Sequence, residues 1–160
     1  NYIKIEMNSG EIMLLELYSD IAPITVANFQ KLVSEKFYDK LTFHRIIDNF
    51  MIQGGDPLGT GHGGSDETIK GEFILNGFTN TLKHAKGIIS MARSNDYDSA
   101  SSQFFICLAD TPHLDGSYAA FGKLIAGFDT LENLGKTKVN GETPINKPVI
   151  KNIRFITIEN

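Results

Sequence analysis

Hydrogen-bond donors lie among apolar side chains in two segments of the chain. Arg45 and Gln53 fall within the apolar-rich stretch 43–57. Gln103 falls within 102–106, where two phenylalanines and an isoleucine follow it. Two such segments could line an apolar pocket that carries a few directed donors, which is the usual composition of a ligand site. For the first segment alone, an edge strand with exposed polar side chains is the alternative.

Three glycines, Gly59, Gly61 and Gly64, match the G-x-G-x-x-G pattern of dinucleotide-binding loops. That function requires a preceding strand, an apolar helix directly after the glycines and an acidic residue about 20 positions further on. The residues at 65–67 (Ser-Asp-Glu) lead into no apolar helix. We therefore predict a turn-rich loop here and no nucleotide or other cofactor.

The residues that could bind a metal ion do not have the spacing of a metal site. Asp96 and Asp98 resemble the start of a calcium loop, but that loop also needs a glycine at its sixth position and a glutamate at its twelfth. Ser101 and Cys107 stand there instead. The histidines are not paired at the spacings of zinc ligands, and only one cysteine could assist them; they are His44, His62, His84 and His113. We predict no metal.

Nucleophilic catalysis has no support in the local sequence. Ser90, Ser101 and Ser102 lack the surroundings of a nucleophile elbow. A Ser-His-Asp triad could still form in space, although no sequence feature calls for one. Cys107 lies in an apolar run, so a buried and inert thiol is expected.

Composition indicates an ordinary globular protein. The chain has 160 residues, 41% hydrophobic and 21% charged, which suits one domain spanning 1–160. Its net charge of −4, with no run of basic residues, argues against nucleic-acid binding. No apolar run is long enough to span a membrane. We also expect a monomer, since no oligomerisation element is evident.

The cellular compartment is predicted from cysteine usage. Cys107 is the single cysteine, so no disulfide can form within the chain, which is compatible with a reducing compartment. The expected location is the cytoplasm. Because the chain begins with Asn1 rather than Met, export stays open.

Periodicity predicts the elements that must position these side chains. Residues 1–7 alternate between apolar and polar, and 11–18 repeat the alternation after an Asn-Ser-Gly turn, so an N-terminal hairpin is expected. A helix should begin at Pro23, because Val26, Phe29, Val33 and Phe37 recur at spacings of three and four.

The remainder reads as short strands separated by glycine-rich turns. Asp115-Gly116 is a hairpin signal between two of these strands. A second, short helix is expected at 129–134, and a last strand should carry Val149, Ile153, Phe155 and Ile158. The other predicted strands cover 43–47, 50–53, 88–91, 104–108 and 119–124. Many short strands with few helices indicate a β-sandwich or closed barrel.

The segment 43–56 resembles the cyclophilin signature. The segments 87–92, 102–106, 114–116 and 121–123 resemble further blocks of that family in the same order, so the resemblance covers nearly the whole chain. It implies a mainly β fold, a closed eight-stranded antiparallel β-barrel capped by two α-helices. It also implies a peptidyl-prolyl cis–trans isomerase that acts on X-Pro bonds of unfolded or folded proteins and assists folding. The stretches 91–95 and 99–102 look more like single-domain bacterial-type members.

The resemblance also assigns roles to residues. The catalytic arginine falls on Arg45, and its supporting glutamine on Gln53. The substrate-binding residues that it implies are the proline pocket at Phe50, Met51, Phe105 and Leu114, the backbone groove at Ala92, Arg93 and Gln103, and the pocket rim at His44.

Three positions depart from the common family pattern. His113 stands where many members have tryptophan, which implies weakened binding of cyclosporin-type inhibitors. Tyr118 replaces a common pocket histidine, and Arg93 replaces an asparagine whose substrate contacts are expected from the backbone.

Two other functions stay open at this point. A binding module could hold proline-containing segments without isomerising them, although Arg45 and Gln53 argue against it. A small-molecule carrier built on a β-barrel would need an open apolar interior, whereas inward-facing Ile, Leu, Met and Phe side chains should fill a small barrel.

Overall fold

One antiparallel sheet of eight strands forms the body of the protein, as described over residues 1–159 by a computed structural model. The strands of the described residues are β1 (Tyr2–Met7), β2 (Ile12–Leu17), β3 (Phe43–Ile47), β4 (Met51–Gly54), β5 (Ile88–Met91), β6 (Phe104–Cys107), β7 (Ala120–Ala126), β8 (Val139–Asn140), β9 (Thr143–Pro144) and β10 (Ile150–Ile156). Strands β8 and β9 form a separate two-stranded hairpin, and the other eight form the sheet. The helices are α1 (Pro23–Ser34) and α2 (Phe128–Gly135), with short 3₁₀ turns at Ile74–Asn76 and Pro112–Leu114.

The sheet curls until its two edges meet. The strand order is β10-β1-β2-β7-β5-β6-β4-β3, so β10 and β3 are the edge strands. A bridge between Thr42 and Val149 joins the edges, and the Ile150 amide donates to the Leu41 carbonyl at 2.7 Å. The predicted eight-stranded antiparallel barrel with two helices is confirmed, and its edges are joined at one end rather than along a full ladder.

The inner face of the sheet holds the main core. Strands β1 and β2 bury alternate residues, as the sequence predicted. The helix α1 packs its apolar side into this core, and Phe29 lies within 5.2–5.7 Å, centroid to centroid, of the rings of Tyr38, Phe104 and Phe121. Since large side chains fill the interior, an open carrier cavity there has no structural support.

A second apolar cluster lies on the opposite face of β4, β5, β6 and β7. It contains Met51, Ile88, Phe105, Cys107, Leu114 and Ala120, whereas Ile52, Phe104 and Ile106 belong to the main core. Successive residues of β6 therefore point to different clusters. This explains why the strand is apolar at every position rather than at alternate ones.

The predicted hairpin at Asp115-Gly116 is wrong. Strand β5 lies between β6 and β7 and pairs with both, so those two strands are not neighbours. The connection contains the 3₁₀ turn Pro112–Leu114, and the Asp115 carboxylate accepts a hydrogen bond from the His84 amide at 2.6 Å. This long-range contact fixes the turn residues in a crossing loop.

The boundaries of several other elements differ slightly from expectation, and helix α1 ends at Ser34, before Phe37, which was predicted to belong to its apolar stripe. Helix α2 begins at Phe128 and ends at Gly135, and β10 ends at Ile156, before Ile158. Within residues 1–159 no helix combines the length and apolar character that crossing a membrane requires.

A buried glutamate caps the start of α1. Glu72 accepts hydrogen bonds from the Thr25 amide and hydroxyl, both at 2.6 Å, and from the Ile24 amide at 3.2 Å. The residue at the cap position, Ala22, has no side chain that could do this. A carboxylate from 47 residues away therefore satisfies the first amides of the helix and complements its dipole.

We predict that Glu72→Ala lowers the free energy of unfolding by about 3 kcal/mol, because buried donors at the start of α1 would lose their acceptor. Urea denaturation followed by circular dichroism measures the effect. Glu67→Ala, which removes an exposed glutamate five positions earlier, is the control and should stay within about 0.5 kcal/mol of wild type. Equal urea midpoints for the two variants would contradict the capping role.

Candidate active site

A β-bulge in β3 turns Arg45 away from the core. Phe43 pairs with Gly54 and Arg45 pairs with Gln53, so His44 is an extra residue on its strand. Phe43 and Ile46 are both buried in the main core although they are three positions apart, which a regular strand does not allow. The bulge accommodates both, and Arg45 then lies on the outer face opposite Gln53.

A chain of hydrogen bonds holds the Arg45 guanidinium. Its Nη1 donates to Gln53 Oε1 at 3.2 Å, and Gln53 Nε2 donates to Gln103 Oε1 at 2.9 Å. Gln103 Nε2 in turn donates to the carbonyls of Gly61 and Gly63, at 3.0 and 2.8 Å. Because those carbonyls can only accept, each amide has one possible orientation, and the last acceptor in the chain faces the arginine.

Asp56 holds in place the glycine loop at which this series of hydrogen bonds starts. Its carboxylate accepts hydrogen bonds from the amides of Leu58, Thr60 and Gly61 at 2.6–3.1 Å. Burial acts to raise the pKa of Asp56, but these amides and that of Gly63 hold it below its usual value. A methyl group at Gly63 would collide with the carboxylate, which accounts for one glycine of this stretch. The predicted turn-rich loop is confirmed.

The guanidinium stands at the edge of an apolar hollow. Water-sized molecules could occupy about 120 Å³ of it. The residues that line it are Arg45, Phe50, Met51, Gln53, Ala92, Arg93, Phe105, Leu114 and Tyr118. Apolar side chains could hold an uncharged ring there while the cation donates a hydrogen bond to it.

A second, polar hollow of about 240 Å³ continues from the first. The two share Gln53, Ala92 and Arg93. The other residues of the second hollow are Gly61, His62, Gly63, Ser94, Ser99, Ser101 and Gln103. Together the hollows form one cleft with an apolar part and a polar part.

The Arg93 side chain forms part of the wall between the hollows. Its Cζ atom lies 4.4 Å from the Tyr118 ring centroid and about as close to two further rings, 4.9 Å from Phe73 and 5.0 Å from Tyr97. Its Nη2 donates to the Ser117 carbonyl at 2.6 Å. These contacts hold the side chain in place, with Arg93 packed directly on the ring of Tyr118.

Two of the predicted site residues lie outside both hollows. His44 is buried beneath the glycine loop, near Gly61, and burial lowers the pKa of its imidazole. His113 is exposed, and its ring centroid lies 5.6 Å from that of Phe50. His113 therefore stands beside the apolar hollow, whereas His44 supports the loop behind the site.

A Ser-His-Asp arrangement does form, but its serine and histidine are sealed from solvent. His84 Nδ1 lies 3.0 Å from Asp115 Oδ1, and His84 Nε2 lies 2.9 Å from Ser90 Oγ. Ser90 has 0% of its surface exposed, so no substrate reaches its hydroxyl. The imidazole stacks instead on Phe105, a wall of the apolar hollow, at 6.0 Å and 17°. The arrangement supports that wall and supplies no nucleophile.

The remaining candidates for chemistry lack the surroundings that they need. Burial raises the pKa of Cys107 to about 11, so the thiol stays protonated at neutral pH. Among residues 1–159, no three His, Cys, Asp or Glu side chains are grouped to hold a metal ion.

Comparison with known proteins identifies the family. The family model described as "Cyclophilin type peptidyl-prolyl cis-trans isomerase/CLD" matches residues 2–155. The chain belongs to the cyclophilin family. Its members are enzymes that accelerate rotation about X-Pro bonds, so this cyclophilin is an isomerase that acts on proline-containing peptides.

Relatives in fungi and bacteria support this assignment. This cyclophilin is 43% identical over 159 residues to peptidyl-prolyl cis-trans isomerase-like 1 of Gibberella zeae, covering 98% of this chain and 96% of the relative. It is 44% identical over 139 residues to peptidyl-prolyl cis-trans isomerase B of Bacillus subtilis, covering 87% of this chain and 94% of the relative. The resemblance to bacterial-type members is confirmed.

A solved structure matches almost the whole fold. The cyclophilin type isomerase of Cryptosporidium parvum, crystallised in the presence of the dipeptide Ala-Pro, superimposes with a TM-score of 0.90 at 35% identity. The match covers 99% of this cyclophilin and 100% of that chain. The predicted fold and enzyme class are thus both confirmed.

The buried His84 should make stability depend on pH. Burial lowers the pKa of His84 below its usual value of 6.5, although the bond to Asp115 opposes the shift. The unfolded chain therefore binds a proton at higher pH than the folded protein. The stabilisation is complete above about pH 6.5 and is lost as the pH falls from there through the lower pKa of the folded protein.

We predict that His84→Gln reduces the loss of unfolding free energy between about pH 7.5 and pH 5.5, as measured by urea denaturation. His62→Gln removes an exposed imidazole and should keep the wild-type dependence. A wild-type dependence in His84→Gln as well would contradict this account.

Proposed function

We propose that Arg45 catalyses the isomerisation by stabilising the twisted state of the X-Pro amide, and that the enzyme thereby assists protein folding. One observation carries the proposal: the guanidinium is held by Gln53 at the edge of a hollow lined by Phe50, Met51 and Phe105. A fixed donor beside an apolar recess matches the two parts of a proline residue, its amide and its ring.

The reaction requires no covalent chemistry. Resonance gives the peptide bond a rotation barrier of about 18–20 kcal/mol. X-Pro bonds populate both isomers but exchange them over tens to hundreds of seconds or so. A catalyst has only to bind the twisted amide more tightly than either planar form.

The donor is suited to what changes during the twist. Loss of resonance returns a lone pair to the proline nitrogen, which can then accept a hydrogen bond. Arg45 is a permanent cation with several planar N–H groups, and it donates to that nitrogen or to the adjacent carbonyl. Stabilisation of the twisted state by about 7 kcal/mol corresponds to roughly a hundred-thousand-fold acceleration.

A bound peptide reduces the screening of the Arg45 charge by water. The Arg45 side chain is 41% exposed, so water screens part of its charge before the substrate binds. A proline ring seated against Phe50, Met51 and Phe105 displaces that water from one side. The hydrogen bond to the twisted amide then forms where solvent competes less strongly.

The cleft also supports a choice of substrate. Its second hollow continues from the first past Ala92 and Arg93, which leaves room for residues that flank the proline. The Cryptosporidium parvum relative was crystallised in the presence of Ala-Pro, a dipeptide that contains proline. We propose proline-containing segments of unfolded or folded proteins as substrates, and a monomeric enzyme in the cytoplasm.

Arg45→Ala should fold normally yet lose about a hundred-fold in kcat/KM or more, since one preorganised donor to a developing charge is typically worth this much. A protease-coupled assay with a proline tetrapeptide measures the rate, and circular dichroism checks the fold. Arg154→Ala is the control, because Arg154 is also part-exposed and bonded to a carboxylate, that of Asp39 at 2.7 Å, but lines neither hollow.

A fully active Arg45→Ala protein would remove the proposed mechanism. Wild-type protein that binds the tetrapeptide in a calorimetric titration without accelerating its isomerisation would favour the binding-module alternative instead.

His113→Trp should tighten the binding of cyclosporin by about ten-fold. The indole would extend the apolar surface beside Phe50 and keep an N–H donor at the rim. Isothermal titration calorimetry compares the two proteins, and His113→Phe separates the effect of ring area from that of the donor. Equal affinity in wild type and His113→Trp would show that this position does not limit binding.

A further inference from the structure

A glutamate distant in sequence contacts the arginine of the site. Glu142 Oε2 accepts a hydrogen bond from Arg45 Nε at 2.7 Å, although 97 residues separate the two. The pair is charged and short, which makes it a stronger bond than the one between Arg45 and Gln53 at 3.2 Å. Neither the spacing of Glu142 nor its neighbours in the sequence points to this contact.

The backbone holds Glu142 next to the strand of Arg45. Glu142 lies in the turn between β8 and β9, where Gly141 has a φ of +68°. The Glu142 carbonyl accepts a hydrogen bond from the Ile46 amide at 2.9 Å, and Ile46 directly follows Arg45. The carboxylate is thus anchored by its own main chain beside the side chain that it binds.

Two bonds at different nitrogens define the orientation of a planar group. The guanidinium is bound at Nε by Glu142 and at Nη1 by Gln53. Within residues 1–159, Nη2 has no hydrogen-bond partner in the protein. A single bond would let the guanidinium swing about that contact, whereas two bonds fix its plane and leave the Nη2 donors for a ligand.

We propose that Glu142 is a positioning residue for Arg45, acting through the bond to Nε and together with Gln53. The proposal rests on the function proposed above for Arg45. Glu142 fixes the direction of the guanidinium before the substrate arrives, so the donor needs no reorientation as the amide twists. Because the twisted state depends most on that donor, loss of Glu142 lowers kcat more than it changes KM.

The negative charge of Glu142 should by itself slow the reaction, and this effect can be separated from the positioning effect by substitution. A carboxylate beside the guanidinium weakens its positive field, so neutralisation alone would make removal of Glu142 accelerate the reaction. Glu142→Gln retains an acceptor of similar reach and removes the charge. Glu142→Asp retains the charge on a side chain one methylene shorter.

The test measures kcat and KM of the full chain with a proline tetrapeptide. Glu142→Ala should lower kcat about five-fold with KM within about two-fold of wild type, because a part-exposed ion pair contributes at most about 1 kcal/mol. Glu142→Gln should stay within about two-fold of wild type, and Glu142→Asp should resemble Glu142→Ala. Glu132→Ala is the matched control, since Glu132 is 55% exposed against 53% for Glu142 and pairs with Lys86 away from the cleft.

A nuclear magnetic resonance signal reports the orientation directly. The Nε–H cross-peak of Arg45, assigned by its loss in Arg45→Lys, should shift in Glu142→Ala and keep nearly its wild-type position in Glu142→Gln. A purely structural role in the turn would change the urea midpoint of Glu142→Ala and leave kcat per folded molecule unchanged.

The possible failures are distinguishable. Wild-type kcat in Glu142→Ala, a change confined to KM, or faster turnover in both Glu142→Ala and Glu142→Gln overturns the positioning role while the function proposed for Arg45 stands. Full activity in Arg45→Ala overturns that function, whatever the Glu142 variants do.

Discussion

The direction of one hydrogen-bond chain constrains the whole site. Backbone carbonyls cannot donate, so Gln103 must present its NH₂ group to Gly61 and Gly63 and its oxygen to Gln53. Gln53 must then present its own oxygen to Arg45. A main-chain loop thus sets the orientation of an arginine through two side chains, without any charged group between them. The chain is only as rigid as the loop, which explains the buried Asp56 beneath it.

The sheet contributes two distortions that bring these parts together. The bulge at His44 rotates Arg45 outward while Phe43 and Ile46 remain in the core. The joining of β3 to β10 near Val149 brings the C-terminal part of the chain alongside β3, where the β8–β9 turn supplies Glu142. The hydrogen bonds around Arg45 therefore combine three separate parts of the sequence, at Gln53, Gln103 and Glu142, which only the folded barrel brings together.

The sequence predicted features whose causes are local. The alternation in β1 and β2 reflects the two-residue period of a strand. The apolar stripe of α1 reflects the period of a helix, about 3.6 residues, so neighbouring residues are enough to predict both. The resemblance to cyclophilins added the barrel and most of the residues that line the two hollows. The functions of those residues, the single domain and the cytoplasmic location stay predictions.

Features that depend on distant contacts could not be predicted. The Asp115-Gly116 pair has the chemistry of a hairpin, but the amide of His84 decides its conformation. Glu72 and Glu142 look like surface glutamates in sequence. Only the folded structure brings Glu72 to the start of α1 and Glu142 to Arg45. His44 shows the converse, because it adjoins Arg45 in sequence yet the bulge leaves it beneath a loop.

The two apolar clusters on opposite faces of the sheet have different places in the molecule, one in the core of the barrel and one beside the cleft. Phe104 and Ile106 belong to the main core of the barrel, and Phe105 belongs to the cluster that lines the apolar hollow. A substitution in the outer cluster can therefore change the cleft with little effect on the main core, because sites that share no contacts act almost independently. One strand of four residues thus takes part in both the packing of the barrel and a wall of the cleft, and its alternate side chains divide the two tasks.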